Sequence, residues 1–193
     1  MGIYETIVKR RTIRRFKQEK VPYEILQKCI NAARLAPSAA NLQPCEYLVV
    51  DREDLLDQVF ATLSWAGYIA DGKPSKLERP KAYIIVLINK EIKTQGFEYD
   101  VGFAAENIIL TALEQGIGSC CFGSVDREVL RQNLNIPKKY IVDLVIALGY
   151  PNENPVEEPF RNSIKYWKDT SGVLHVPKRK LKSILHRNII TAD

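Results

Sequence analysis

The chain has 193 residues, of which 46% are hydrophobic and 26% are charged, and its formal net charge is +5. This length allows a hydrophobic core without metal or disulfide support, and the composition is typical of a globular protein. The opening residues, MGIYETIVKRR, lack the apolar stretch of a signal peptide, so we expect a cytoplasmic protein without a membrane partner.

Cysteine and histidine usage indicates neither disulfides nor a metal site. The cysteines show no C-x-x-C spacing, and an adjacent pair cannot form a disulfide without severe strain. The two histidines lie far from any cysteine. We expect four reduced thiols that behave as small buried hydrophobic groups: Cys29, Cys45, Cys120 and Cys121.

Positive charge is concentrated near both ends of the chain. Residues 9–20 contain seven basic side chains and one glutamate, and residues 178–187 contain five basic side chains and His186. Such clusters are typical of proteins that bind nucleic acid, an anionic membrane surface or a phosphorylated ligand.

The first third of the chain predicts two helices around an extended basic segment. Residues 2–10 have the spacing of a short amphipathic helix, and Pro22 opens a second helix over 23–35. Between them, an extended backbone would direct alternate side chains to opposite sides. On one side would lie Arg10, Thr12, Arg14 and Phe16, and on the other Arg11, Ile13 and Arg15.

Prolines and small polar residues predict a loop over 36–44. A strand at 46–50 and a helix from 53 to about 63 should follow. Residues 65–80 are irregular in pattern and rich in glycine and proline, so we interpret them as a mobile flap.

The second half of the chain predicts the centre of the fold. The apolar runs 82–88 and 141–148 are typical of strands covered on both faces. Between them, residues 100–118 predict a helix with no broad polar face, ending at a left-handed Gly116. We expect a short strand or turn at 119–123, a helix at 126–134, an extended arm over 151–177 and a short basic helix at the end.

Four segments in order resemble the nitroreductase-like family of FMN-dependent NAD(P)H oxidoreductases. They are RRTIRRF at 10–16, PSAANLQP at 37–44, the pair formed by 100–118 and 121–124, and PKRKL at 177–181. Each segment alone is a weak signal, whereas the ordered set covers nearly the whole chain.

The resemblance implies an α+β fold with three layers, in which helices flank a mixed central sheet. It also implies an intertwined homodimer, with the helix at 100–118 packed across the two-fold axis. Residues 1–150 would form the flavin-binding core, and residues 151–193 would form the arm and basic tail that complete the same domain and embrace the partner.

The resemblance also assigns the basic residues to the two ends of FMN. Arg10 and Thr12 would hold the phosphate, Arg11 the phosphate or the ribityl oxygens, and Arg14 the N1/O2 edge of the ring, where a cation raises the reduction potential. Two residues four apart in a strand are about 13 Å apart, so one strand can reach both ends. Lys178 and Lys180 would complete the phosphate site, and Arg179 could replace either of them.

Two further segments would surround the flavin ring. The ring edge and ribityl chain would be lined by Pro37, Ser38, Ala39 and Asn41. On the other side, Gly123 and Ser124 would lie against the ring, and Cys121 and Phe122 would pack beneath it. No catalytic acid or base is implied, because the cofactor supplies the chemistry.

The implied activity is electron transfer from NADH or NADPH, by way of FMN, to a nitroaromatic, quinone or related acceptor in a ping-pong mechanism. One alternative keeps the flavin and changes the reaction to dehalogenation or reduction of an activated alkene, with Trp65 to Tyr68 and the arm as the deciding regions. A second alternative is a non-enzymatic nucleic-acid-binding domain, which the lack of a known recognition motif disfavours.

Overall fold

A computed structural model describes residues 2–190 of the chain. The helices are α1 (Ile3–Lys9), α2 (Tyr23–Ala33), α3 (Glu53–Ala61), α4 (Glu98–Glu114) and α5 (Arg127–Asn133). The strands are β1 (Cys45–Val50), β2 (Ala82–Asn89), β3 (Gly118–Phe122), β4 (Tyr140–Gly149), β5 (Val156–Pro159), β6 (Trp167–Lys168) and β7 (Leu174–Lys178). Single 3-10 turns lie at Ala39–Asn41, Lys76–Glu78 and Leu181–Ser183.

The central sheet has the strand order β1-β2-β4-β3, and all three pairings are antiparallel. Its parallel component is a single bridge between Thr12 and Ser119 at the β3 edge. A second, smaller sheet has the order β5-β7-β6 and mixes a parallel pairing with an antiparallel one. The predicted α+β class is confirmed.

Helices cover both faces of the central sheet, which produces the three layers. Every residue of β2 is buried, and its side chains alternate between two cores as the pleat requires. Ile84 and Ile88 pack with α2 and α4 on one face, whereas Tyr83 and Ile85 pack with α3 and α5 on the other. The sequence prediction of a strand covered on both faces is confirmed.

Helix α4 is buried on one side only in the single chain, and its exposed side carries large apolar side chains, in line with the prediction of a helix with no broad polar face. Its side toward α2 and the sheet carries Val101, Ala104 and Ile108, which are nearly inaccessible to solvent. On the opposite side, Tyr99 and Phe103 are 79% and 50% exposed. The hydrophobic pattern could not separate these two sides, because both are apolar. The predicted left-handed turn after this helix is confirmed, with φ of +76° at Gly116.

The arginine segment, residues 10–16, lies along the β3 edge of the central sheet and is held there by two buried side chains, Ile13 and Phe16. The predicted strict alternation is therefore wrong, because Phe16 is fully buried while Arg14, expected on the same side, lines a cavity. The segment forms isolated bridges instead of a continuous strand, so its side chains need not alternate.

Two glycines allow this close approach. A Cβ on Gly118 would lie 2.7 Å from Ile13 Cγ1, and one on Gly149 would lie 2.9 Å from Phe16 Cδ1. We expect Gly149→Val to destabilise the protein by about 2 kcal/mol, because the added atoms overfill a packed contact. Urea unfolding followed by circular dichroism measures the change, with Gly2→Ala, where a Cβ meets no atom within 4 Å, as the control. Equal stability of both variants would contradict the packing role.

The C-terminal segment, residues 151–190, differs from the predicted extended arm because much of it folds against the same chain. Its strands β5, β6 and β7 form the smaller sheet, and the Asn152 N–H donates to the Arg15 carbonyl over 2.9 Å. The predicted basic helix is limited to the single turn at Leu181–Ser183. Within residues 2–190, no helix has the length and apolar character needed to cross a membrane.

Candidate functional site

A cavity of 140 Å³ lies beside the arginine segment, and we call it the basic cavity. Four of its residues come from that segment and three from the C-terminal segment. The structure thus brings together four of the predicted phosphate-end residues and Arg14, which was predicted for the ring edge. The full lining is Arg10, Arg11, Thr12, Arg14, Tyr166, Val176 and Lys178.

Carboxylates hold the arginines of the basic cavity. The Arg11 guanidinium donates to Glu157 on β5 over 2.5 Å, and the Arg10 Nε lies 3.8 Å from Glu106 on α4. The Glu153 carboxylate accepts the backbone N–H of Arg14, which fixes the backbone at this point. The arginines are therefore oriented before any ligand binds.

A larger cavity of 380 Å³ adjoins strand β3, and we call it the β3 cavity. It contains the four predicted residues at 121–124, together with the start of the flap. Two residues, Arg14 and Tyr166, line both cavities, so the two spaces share a boundary. The remaining lining residues are Ser64, Trp65, Ala66, Gly67, Cys120, Cys121, Phe122, Gly123 and Ser124.

Aromatic packing makes one wall of the β3 cavity rigid. The ring of Trp65 lies 5.2 Å from Phe60 and 4.6 Å from Phe122, measured between centroids. Trp65 Nε1 is buried and has no hydrogen-bond partner among the described residues. An unpaired buried donor of this kind costs free energy.

The two neighbouring cysteines of β3 have different surroundings. Cys120 is buried, and desolvation raises the pKa of both thiols to about 12, so neither is a nucleophile at neutral pH. Cys121 is exposed, which corrects the prediction that all four thiols are buried. Strand alternation explains the difference, because successive side chains point to opposite faces.

The loop predicted to line the ring has an unusual backbone. Ala40, Asn41 and Gln43 all have φ between +51° and +54°, a left-handed conformation that side chains disfavour. The Ser38 hydroxyl accepts the Gln43 N–H over 3.0 Å and closes the turn. Strain of this kind persists only where the surroundings hold the chain in place.

A buried carboxylate provides that anchor. Asp100 on α4 is 3% exposed, and its two oxygens accept the Ala39 N–H at 2.9 Å and the Lys93 ammonium at 2.7 Å. Burial alone raises the pKa of Asp100, but the hydrogen bonds from Lys93 and Ala39 outweigh it, so this pKa lies below its ordinary value. The carboxylate is therefore charged at neutral pH.

The single chain does not bring this loop to the other predicted site residues. Pro37 and Ser38 line a separate cavity with Asp100, and that cavity shares no residue with the basic or β3 cavities. Ala39 and Asn41 belong to the same loop. Lys180 is exposed and lines none of these three cavities, and Arg179 donates to the Ser183 carbonyl over 2.8 Å.

Sequence reasoning did not assign roles to three residues that shape these sites. Asp100 begins a segment whose pattern is otherwise apolar, and Glu153 has no pattern that distinguishes it. Tyr166 lies in the segment predicted to be an extended arm. A carboxylate at a buried helical position is a signal that could have identified Asp100, because charged groups are buried only with partners.

Taken together, the two adjoining cavities can hold an elongated anion with a planar polar ring. Guanidinium groups at one end suit a phosphate, and the aromatic wall and glycine backbone at the other suit a flat ring. Within residues 2–190, no group of three or more His, Cys, Asp or Glu side chains is arranged to hold a metal ion.

Similarity to known proteins agrees with this geometry. A relative from Methanothermobacter thermautotrophicus, provisionally named an NADH dehydrogenase/NAD(P)H nitroreductase, is 31% identical, and the match covers 86% of this chain and 88% of the relative. An iodotyrosine deiodinase from Thermotoga neapolitana is 27% identical, and the match covers 84% of this chain and 95% of the relative.

The fold is also shared with solved structures. An FMN-dependent nitroreductase from Clostridium difficile R20291 is 27% identical, with a TM-score of 0.68 and coverage of 96% of this chain and 98% of that one. The sequence profile described as the nitroreductase family matches residues 7–150. On this evidence, the chain belongs to the nitroreductase family.

Proposed function

We propose that this protein binds FMN and transfers electrons from NADH or NADPH to an organic acceptor such as a nitroaromatic or quinone. The observation that carries the proposal is the pair of adjoining cavities joined by Arg14, one lined by cations and the other by an aromatic wall and glycine backbone. Relatives named as NAD(P)H nitroreductases support the same reaction class.

The residues present fit the chemistry of FMN. A phosphate would be held in the basic cavity by Arg10, Arg11, Thr12 and Lys178, which offer charged and neutral donors. It would share Arg11 with Glu157 and Arg10 with Glu106. The ring would occupy the β3 cavity. We keep Lys180 as a further phosphate contact, with Arg179 as its alternative, because both follow β7 directly.

When bound, FMN supplies the two-electron chemistry of the reaction. The protein's own groups orient and stabilise: Arg14 presents a positive charge between the two cavities, and Gly123 allows close approach of a planar ring. Trp65 contributes its ring to the wall of the same cavity. No side chain needs to donate or accept a proton for this role.

We propose a homodimer as the active form. Two apolar surfaces of the single chain are solvent-exposed: α1, through Ile3 and Tyr4, and the outer side of α4, through Tyr99 and Phe103. Burying them between copies would remove apolar area from water. A second copy could also supply the loop at 37–41, which lies apart from the other predicted site residues of its own chain.

The first experiment is an absorption spectrum of the protein supplied with FMN, before and after anaerobic addition of NADH or NADPH. We expect a bound flavin that bleaches on addition and regains its colour with a nitroaromatic or quinone. A protein that never retains FMN would refute the proposal. Light scattering on the same sample should report twice the mass of one chain.

We also propose a cytoplasmic location for this protein, which the four free thiols support.

We expect Gly123→Val to weaken FMN binding without loss of stability. A Cβ at Gly123 meets no atom within 4 Å, so the unliganded fold accepts it, whereas a bound ring would compete for the same space. The FMN dissociation constant should rise about ten-fold, the size of one overpacked contact. Fluorescence titration measures it, with urea unfolding of the FMN-free protein as the stability control. Unchanged affinity would contradict the assignment of Gly123 to the ring.

A second candidate reaction is reductive dehalogenation. It is favoured by the relatives named iodotyrosine deiodinase, and the match to the one from Thermotoga neapolitana covers 95% of that relative. In this reaction an aromatic carbon–iodine bond takes two electrons and a proton, and iodide leaves. Incubation of the reduced holoenzyme with 3-iodotyrosine, followed by measurement of iodide, distinguishes it from nitroreduction measured in parallel.

A further inference from the structure

The flap (residues 65–80) and the C-terminal segment meet beside the β3 cavity through an aromatic contact. The ring centroids of Tyr68 and Tyr166 are 4.9 Å apart, with the planes tilted by 50°. Ala66 and Gly67 of the flap and Tyr166 of the C-terminal segment all line the cavity. The contact therefore lies at the edge of the cavity, where two separate parts of the chain come together.

An ionic contact joins the same two segments. The Asp71 carboxylate accepts hydrogen bonds from the Lys168 ammonium at 2.6 Å and from the Arg15 guanidinium at 2.8 Å. The hydrogen bond from Lys168 lowers the pKa of Asp71, so the carboxylate is charged at neutral pH. Asp71 therefore links the flap to β6 and to the arginine segment, and we call these contacts the clasp.

Tyr166 occupies the central position in this arrangement. The Arg14 guanidinium carbon lies 4.9 Å from its ring centroid, and its ring contacts Tyr68 from the flap. Because Tyr166 lines both cavities, a planar molecule that enters beside a ring in the β3 cavity would lie next to the Tyr166 ring, which Arg14 and Tyr68 hold in place. Aromatic rings pair with one another by offset stacking or edge to face.

We propose that Tyr166 is the specificity-determining residue for the acceptor, selecting planar aromatic molecules, and that Asp71 is the positioning residue that holds the flap against it. This inference rests on the proposed function, since it concerns the acceptor of the same FMN site.

A matched pair of unreactive carboxylates tests the aromatic preference. Benzoate and cyclohexanecarboxylate have the same charge and similar size but differ in planarity. Their dissociation constants are measured from the change in flavin absorbance of the oxidised holoenzyme. We expect benzoate to bind about three- to ten-fold more tightly, the size of one aromatic stacking contact. Tyr166→Leu should bring the ratio near one, whereas Tyr166→Phe should keep it.

The clasp has its own test and a matched control. Asp71→Asn should weaken benzoate binding about two- to five-fold, because it removes two ion pairs in which the carboxylate is 60% exposed. It should also speed hydrogen exchange of the flap in the FMN-free protein. Asp71→Glu should restore most of both. Asp57→Asn is the control, because Asp57 has the same 60% side-chain exposure and pairs with Arg79 at 2.7 Å.

The outcomes separate this inference from the proposed function. A wild-type protein that does not bind FMN refutes both. A holoenzyme that reduces nitroaromatics while Tyr166→Leu keeps the benzoate preference refutes only the role of Tyr166. Equal effects of the Asp71 and Asp57 substitutions on binding and on exchange refute the clasp.

Discussion

Replacing Arg10 with glutamine should release FMN, whereas the same change at Arg14 should leave FMN bound and alter its reduction potential. Arg10 lines only the cation-rich end of the site, and Arg14 lies where the two cavities meet. Loss of a charged hydrogen bond weakens binding by about 1.5–3 kcal/mol, so the dissociation constant of Arg10→Gln should rise about ten- to a hundred-fold. For Arg14→Gln, the potential should fall by roughly 30 to 60 mV.

Both effects can be measured on the same preparations. Fluorescence titration gives the FMN dissociation constant, and anaerobic titration against a reference dye gives the potential. Arg52→Gln is the control, because Arg52 is exposed and pairs with Asp54 on α3, away from both cavities. An equal loss of FMN in the Arg10 and Arg14 variants would contradict the separate roles.

Replacing Asp100 with asparagine should destabilise the protein by about 3 kcal/mol. The substitution leaves the Lys93 ammonium, which is 13% exposed, without its partner, and an unpaired buried charge is costly. The same change weakens the anchor of the Ala39 N–H, so FMN affinity should fall as well if this loop completes the site. Urea unfolding measures the stability, with Asp54→Asn as the control, for which little change is expected because Asp54 pairs with Arg52 at the solvent-exposed surface.

The destabilisation should depend on pH in a defined direction. The pKa of Asp100 in the folded protein lies below 3.8, its ordinary value. Its contribution is therefore fully present above about pH 4 and is lost as the pH falls through the lowered pKa. The stability difference between wild type and Asp100→Asn should be constant from pH 7 to pH 5 and should shrink below pH 4. A constant difference down to pH 3 would contradict the ion-pair assignment.

Local patterns predicted most of the secondary structure correctly. The apolar run that became β2 is buried on both faces, and the Asp126 side chain caps α5 by accepting the Val129 N–H at 3.1 Å. These features depend on residues close together in the chain, so they are readable from spacing alone. The order of the strands and the antiparallel pairing depend on distant contacts and were not readable in this way.

The arginine segment shows where predictions from local sequence patterns fail. Alternation predicted that Arg14 and Phe16 share a side, but the space beside Gly149 accepts Phe16 as a buried anchor. The segment forms isolated bridges at Thr12 and Phe16 instead of a regular strand, and burial of the Phe16 ring stabilises this arrangement. Only the packed sheet edge decides which side chains remain free to bind a ligand.

The sequence alone determined the α+β class, the positions of the long helices and central strands, and the membership of a family whose motifs occur here in order. Only the tertiary structure decided that Arg14 joins two cavities, that Asp100 holds the loop at 37–41, and that Tyr68 meets Tyr166. The physical reason is range: helix and strand propensity act between neighbours, whereas cavities and ion pairs join residues that only the folded chain brings together.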